Sequence, residues 1–412
     1  MLVKGSRTYS EKPRYPDFPY SEWKDRITRV QTSMAQNDVD CLVLWENENI
    51  RYFFGFQTIH WFMKSIQPAV AVIPVSGEPI LIVADLFMGN AEGLCWVEDI
   101  RVQEKPHQPK SQRELPVEVA GIIKEIGCGD KNIGLEMGQL GCMYIPRPLN
   151  DINTFMESLP DANIVDGDAV IWDCRTIKSS LEIERITKSI AGITAVELAI
   201  VEEYRPGMHE IDLLKIINTA RSRQDGNYLG HDAIAWSELI CDSRKRRFSD
   251  IMALENAVIA KGDTILFDGV FYYKGYTPDS ARMWQTGKVT KEAEKYYETI
   301  FKAEDNVERM LKPGVKAKDV YNALYEPVLS AGFGASDMGG HGTGLDCHEP
   351  PSIDAWNEMT IQENMTLSIE PWMILQNEES FGIQDTFLVT DTGCVKIEGL
   401  RREIIQVSHT IG

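Results

Sequence analysis

Between Gly340 and Ile353 the chain reads GHGTGLDCHEPPSI. Three glycines and two prolines break any long regular element in that stretch, so its backbone must turn sharply. Two of the chain's seven histidines, His341 and His348, stand there seven residues apart, beside small and acidic residues. Imidazoles gathered in this way need partners, which have to come from elsewhere in the chain.

At 412 residues the chain is too long for one ordinary core and divides into two domains. A formal net charge of −20 argues against nucleic acid, whose phosphates call for clustered Lys and Arg. The basic run Arg244-Lys245-Arg246-Arg247 reads as a solvated loop or as a clamp for a substrate carboxylate. No apolar run approaches the ~18 residues that span a bilayer. The polar, proline-rich start MLVKGSRTYSEKPRYPDFPYSEW lacks the apolar segment of a secretory signal, so the expected location is the cytoplasm. None of the eight cysteines forms a C-x-x-C pair, and they read as reduced thiols. Cys347, inside the opening stretch, reads as a small filler residue.

Residues 1–171 are expected to form an α/β domain. WKDRITRVQTSMAQNDVD has helical spacing, with Ile27, Val30 and Met34 on one face. CLVLWEN reads as a strand, PAVAVIPVSGEPILIVAD as a hairpin, VEVAGIIKEIG as a short helix and KNIGLEMG as another strand. The second domain is placed at 172–412. Ser179 or Ser180 caps a helix with Glu182 and Glu184 in its first turn, running to Arg205-Pro206-Gly207. A weak echo links VEEYRPGMHEIDLLKIIN with VERMLKPGVKAKDVYNAL; Pro206 and Pro313 are 107 residues apart. Two such units fit a domain with pseudo-twofold halves.

Thr264 to Asp268 is a β-branched and aromatic run closed by an acid, and Asp279 follows eleven residues later. A hairpin brings these two carboxylates together. Their repulsion raises a pKa unless a cation sits between them, so the pair marks a metal site or a general-acid dyad. Glu370 in MTLSIEPWM, and Gln384 with Asp385 in FGIQDTFLVT, lie in further strands. Asp268, Asp279, His341 and Glu370 together make an oxygen-rich set with one imidazole, which suits Mn, Fe, Co or Zn.

The pattern DG-x8-D, then GHGTGLDCHEPP, then SIEP, then a strand ending LVT, resembles the pita-bread metallopeptidase family, peptidase family M24. That family includes prolidase, Xaa-Pro aminopeptidase, methionine aminopeptidase and creatinase, and the two-domain plan resembles its prolidase and creatinase branch. The resemblance implies an α/β N-terminal domain and an α+β pita-bread C-terminal domain. It places Asp268, Asp279, His341 and Glu370 at metal-ligand positions, with one or two divalent transition metal ions per chain. Glu370 would also accept the proton of an attacking water. His348 matches a histidine that stabilises the oxyanion, and Glu349 reads as structural. A homodimer is implied too, with residues 56 to 65 as a lid over the partner's site.

Two departures from the family pattern stand out. The family's bridging glutamate is replaced by Gln384, whose neutral amide cannot bridge two cations. The adjacent Asp385 could serve only if a bulge shifted the strand register. A family histidine about a dozen residues before Gly262-Asp263 is also missing, with His231 the nearest upstream.

Three readings follow. The first is a metallohydrolase cleaving a C–N bond in an Xaa-Pro-type dipeptide or a small N-substituted metabolite. The second is a metal-dependent lyase resembling the dimethylsulfoniopropionate lyase of this fold, with Asp346 or Tyr273 as base. The third is a non-catalytic binding module. Of the aromatics Phe53, Phe54, Trp61, Phe62, Trp236 and Trp372, most are expected in the core, with Trp61 a candidate pocket wall.

Overall fold

The computed structural model describes residues 3–4, 13–63, 66–138, 148–224, 237–241, 256–375, 380–397 and 399–407. The basic run at 244–247, His231 and Trp236 lie outside these residues, as do the last two positions of the expected lid. The chain divides into two compact units, Met1–Arg175 and Thr176–Gly412. The division falls four residues beyond the boundary expected before Trp172, at the end of a short helix whose apolar face is buried in the first unit.

The N-terminal unit is built on a seven-stranded mixed sheet. Its strands are β1 (Val3–Lys4), β2 (Cys41–Leu44), β3 (Ala69–Pro74), β4 (Ile80–Ala84), β5 (Asp99–Gln103), β6 (Asn132–Leu135) and β7 (Asn163–Asp166), in the order β1-β5-β4-β3-β2-β6-β7. The expected hairpin is present: β3 and β4 pair antiparallel around Ser76-Gly77-Glu78-Pro79. Strands β2, β3 and β4 are buried along their whole length, as continuous Val/Ile/Leu runs require. Helix α1 (Tyr20–Gln36) buries Ile27, Val30 and Met34, together with Trp23 and Arg26. Then come α2 (Asn47–Phe54), α3 (His60–Met63), α4 (Met88–Leu94), α5 (Pro109–Glu125), α6 (Leu149–Glu157) and α7 (Asp168–Arg175). Helix α5 starts eight residues before the expected Val117. Pro109 is tolerated in its first turn, and Pro116 sits inside it.

The C-terminal unit has two similar halves. In the first, α8 (Ser180–Glu203) and α9 (Glu210–Ser222) pack on β9 (Thr264–Val270) and β10 (Asp279–Gln285), and β8 (Ser237–Cys241) pairs antiparallel with β9. Ser179 caps α8: its hydroxyl accepts the Glu182 amide while the Glu182 carboxylate accepts the Ser179 amide. In the second half, α10 (Lys291–Met310) and α11 (Ala317–Ser330) share a core with β11 (Gly334–Ala335), β12 (Met338–Gly342), β13 (Glu349–Asp354), β14 (Thr366–Ile369), β15 (Met373–Ile374), β16 (Ser380–Phe381) and β17 (Asp385–Val389). Strands β18 (Cys394–Lys396) and β19 (Ile405–Gln406) finish the sheets, ordered β13-β12-β14-β17-β18 and β19-β10-β9-β8. The sequence echo has a matching structural form. Each helix pair turns through a Pro-Gly whose glycine takes a left-handed backbone, φ 90° at Gly207 and 93° at Gly314. The two halves meet where the Gln384 amide donates to the Ala281 carbonyl at 3.0 Å.

Candidate metal centre

The site sits at that meeting line. Strands β9 and β10 pair antiparallel, with Asp268 opposite Ala281 and Asp279 opposite Val270. Asp279 lies two residues from Ala281, so both carboxylates project from the same face of the sheet. Both are buried, at 6% and 2% exposure. From the other half, β12 brings His341 and the end of β14 brings Glu370.

The glycines flanking His341 are sterically required. A Cβ at Gly340, which has φ +145°, would lie 2.2 Å from the Ser368 carbonyl oxygen. One at Gly342 would lie 2.2 Å from the Pro350 carbonyl. Strand β12 is thus squeezed between β13 and β14, and only glycine fits on either side of the imidazole. His341 is fully buried. Its Nδ1 lies 3.0 Å from the Gly342 carbonyl, and donation there leaves the Nε2 lone pair facing the acids.

The donors converge on one oxygen. Asp279 Oδ2 is 3.1 Å from Cys347 Sγ, 3.5 Å from His341 Nε2 and 3.8 Å from His348 Nε2. The Ser368 hydroxyl donates to Asp279 Oδ1 at 2.9 Å. Glu370 Oε1 lies 3.7 Å from His341 Nε2, and the Trp372 indole donates to its other oxygen at 2.9 Å. The His341 and His348 rings stack, with centroids 3.8 Å apart.

Titration follows from this crowding. Burial opposes a charge on His341, but the Asp279 and Glu370 carboxylates outweigh it and lift its pKa to about 9. Burial likewise opposes the Asp279 charge, yet the imidazoles of His341 and His348 hold it well below the usual carboxylate range. His348 is pushed down to about 4 by burial and by the charge on His341. The site therefore draws positive charge to the Nε2 of His341. A divalent cation among the same oxygens would compete with that proton for the same lone pair.

Gln384 and Asp385 diverge. Gln384 is fully buried, with its side-chain Nε2 3.4 Å from His341 Nε2. Asp385 turns the other way, so its candidacy for the fifth ligand position is corrected. Its carboxylate accepts from Arg282 at 2.5 Å and from Lys396 at 2.9 Å. No bulge shifts the register: Asp385 pairs opposite Ile369 and Thr386 opposite Ser368. The side chain beside His341 at this point is thus a neutral amide.

The remaining candidates have local roles. Tyr273 packs on the α8–α9 core with Lys188 Nζ 5.3 Å from its ring. Asp346 is half-buried, and its backbone amide donates to Glu349 Oε1 at 3.3 Å. Trp61 belongs to α3 of the N-terminal unit. Trp372 is buried, as expected of a core aromatic, yet its indole also orients Glu370. Glu349 is structural: it pairs with Lys178 at 2.8 Å, both side chains 1% exposed, and accepts the Leu345 amide at 3.1 Å. Ser368 and Trp372 were not legible as supports, because each acts across strands whose register had first to be known.

A group of acids and imidazoles on the facing strands of two similar half-domains, in a chain that also carries an α/β N-terminal unit, defines the pita-bread metallohydrolase class. Residues 184–391 match metallopeptidase family M24 and residues 26–177 match the creatinase/prolidase N-terminal domain, and the chain belongs to the M24 family. It is 24% identical over 387 residues to an Xaa-Pro dipeptidase of Pyrococcus furiosus, across 93% of this chain and 100% of that one. An ectoine hydrolase of Halomonas elongata is 21% identical over 403 residues, across 94% and 98%. A crystal structure of prolidase from Thermococcus sibiricus superposes with a TM-score of 0.77 at 21% identity, covering 93% of this chain and 99% of that one. Among the described residues, no helix is long and apolar enough to cross a membrane.

Proposed function

We propose that this chain is a metal-dependent hydrolase that cleaves a C–N bond in an Xaa-Pro-type dipeptide or a small N-substituted metabolite. The observation that carries this reading is the convergence of His341, His348 and Cys347 on Asp279 Oδ2, with Glu370 beside His341. Asp268, Asp279, His341 and Glu370 would hold the ion. Their mixture of carboxylates and one imidazole fits Mn, Fe, Co or Zn. A divalent ion bound there supplies Lewis acidity, polarising the scissile group and lowering the pKa of water.

The chain's own residues supply the remaining chemistry. Glu370, with one oxygen tied to Trp372, takes the proton of the attacking water. His348, neutral at pH 7 and half-exposed, donates a hydrogen bond to the developing oxyanion. Gln384 brings an amide in place of a carboxylate, which supports one firmly held ion per chain rather than two. The names of the Pyrococcus and Halomonas relatives support hydrolysis and leave both a dipeptide and a cyclic amidine-type metabolite within the substrate range.

The test is release of proline from a panel of Xaa-Pro dipeptides by the manganese- or cobalt-loaded protein, beside Glu370→Gln. Proline release at least ~100-fold faster than by the variant supports the dipeptidase form. A metal-loaded protein inert to every dipeptide, but active on small N-acyl or amidine compounds, would move the substrate to the metabolite class. Product mass distinguishes hydrolysis from elimination, the lyase alternative.

A further inference from the structure

The Cys347 thiol is the donor nearest to Asp279 Oδ2 at the centre, at 3.1 Å. The ligand atoms of Asp279, Cys347 and His348 all lie within 4.8 Å of one another. Donors bonded to one ion at about 2.0–2.3 Å stand about 3–4 Å apart. The distances from Asp279 Oδ2 to Cys347 Sγ and to His348 Nε2, 3.1 and 3.8 Å, fall in that range. The backbone that presents the thiol is fixed as well. The Glu349 carboxylate accepts the amides of Leu345 and Asp346, and buried Lys178 pins that carboxylate.

A second observation at the centre is an unsatisfied amide. Gln384 stands beside His341 with a neutral amide, and among the described residues its Oε1 is buried without a hydrogen-bond partner. A buried oxygen left unpartnered beside the imidazole points to an ion at this centre, and the Cys347 thiol stands among the donors that could hold it.

We infer that Cys347 is a ligand of the metal centre: as an ion binds, its S–H bond breaks, a sulfur–metal bond forms and one proton passes to solvent. This inference rests on the metal-centre reading above. It also sets a preference. A soft thiolate among carboxylates and imidazoles favours Zn, Co or Fe(II) over Mg, Ca or Mn.

The experiment is titration of cobalt(II) chloride into the full-length, metal-free protein, read by absorption. The expected result is that visible d–d bands grow together with a near-ultraviolet sulfur-to-cobalt charge-transfer band. Cys347→Ser keeps the visible bands and loses the near-ultraviolet one. Cys347→Ala repeats the comparison should the serine variant fail to fold. Visible bands in the wild type without the charge-transfer band overturn the inference and leave the metal centre standing. So does a charge-transfer band that persists in both variants. Failure of cobalt to bind at all overturns the metal centre and this inference with it.

Discussion

Gln384 Nε2 lies 3.4 Å from His341 Nε2, so an uncharged amide faces the imidazole at the position from which a carboxylate would reach an ion. Restoring that carboxylate with Gln384→Glu should raise the metal bound per chain. In the metal-free protein the same change places another buried anion beside Asp279 and Glu370, at a cost of about 1–3 kcal/mol. The two effects separate by measurement. Elemental analysis should show more metal, and the melting temperature should fall in chelator and recover on adding ion. A variant that melts like the wild type in chelator and binds no more metal would contradict this account of the site.

Asp279 Oδ2 stands within 3.8 Å of Cys347, His341 and His348, so Asp279→Ala should abolish the site. Outer-shell changes at metal sites cost about 10–100-fold in affinity, and loss of a direct ligand should exceed that. Inductively coupled plasma mass spectrometry on wild type and variant, loaded side by side, reads the result. Equal metal in both would place the bound ion elsewhere on the chain.

The parts of the site legible in the sequence were those governed by local rules. Asp268 and Asp279 are joined by a tight hairpin, so strand alternation alone puts them on one face. His341 stands between two glycines because two backbones press on its strand, and the GHG string carries that signal directly. The choice between Gln384 and Asp385 was not legible, because it turns on partners far away in the chain. Arg282, more than a hundred residues upstream, takes the Asp385 carboxylate and also donates to the Gln384 carbonyl at 2.7 Å. The early start of α5 was not legible either: the helix takes Pro109 in its first turn and accommodates Pro116 within it.

Asp385 gives an acid-dependent stability term. Burial opposes its charge, but Arg282 and Lys396 win and hold its pKa down at about 2. A depressed carboxylate stabilises the fold fully above its ordinary value of 3.8, and that contribution disappears as pH falls through about 2. Asp385→Asn takes from buried Arg282 the carboxylate it donates to, so it should cost about 3 kcal/mol at pH 7. The gap between variant and wild type should narrow as pH is lowered from about 4 towards 2. Urea unfolding at several pH values checks both the size and the sign. A gap that stays constant into acid would mean the loss comes from packing and not from the ion pair.

Lys178 and Glu349 are 171 residues apart and both nearly inaccessible to solvent, at 2.8 Å. Lys178→Met leaves the Glu349 charge without that counter-ion and should destabilise the C-terminal unit by about 3 kcal/mol. The Glu349 carboxylate also holds the amides ahead of Cys347 and His348, so metal affinity should weaken in the same variant. Replacing both partners, Lys178→Met with Glu349→Gln, should recover part of the stability, since no lone charge then stays buried. Chemical denaturation of the singles and the double reads this coupling.

Cys128 should be the most reactive of the cysteines described. A hydrogen bond from Cys41 lowers its pKa to about 7, against the opposing effect of partial burial. Cys41 itself is fully buried and pushed well above the ordinary thiol value, and burial lifts Cys394 to about 11. Only the thiolate attacks an alkylating reagent. Iodoacetamide labelling of Cys128, mapped by peptide mass, should therefore rise with a midpoint near pH 7. Cys41→Ala removes the donor and should move that midpoint up towards the ordinary thiol range. A midpoint unchanged in the variant would assign the shift to Lys131, the nearby cation, instead of to the neighbouring thiol.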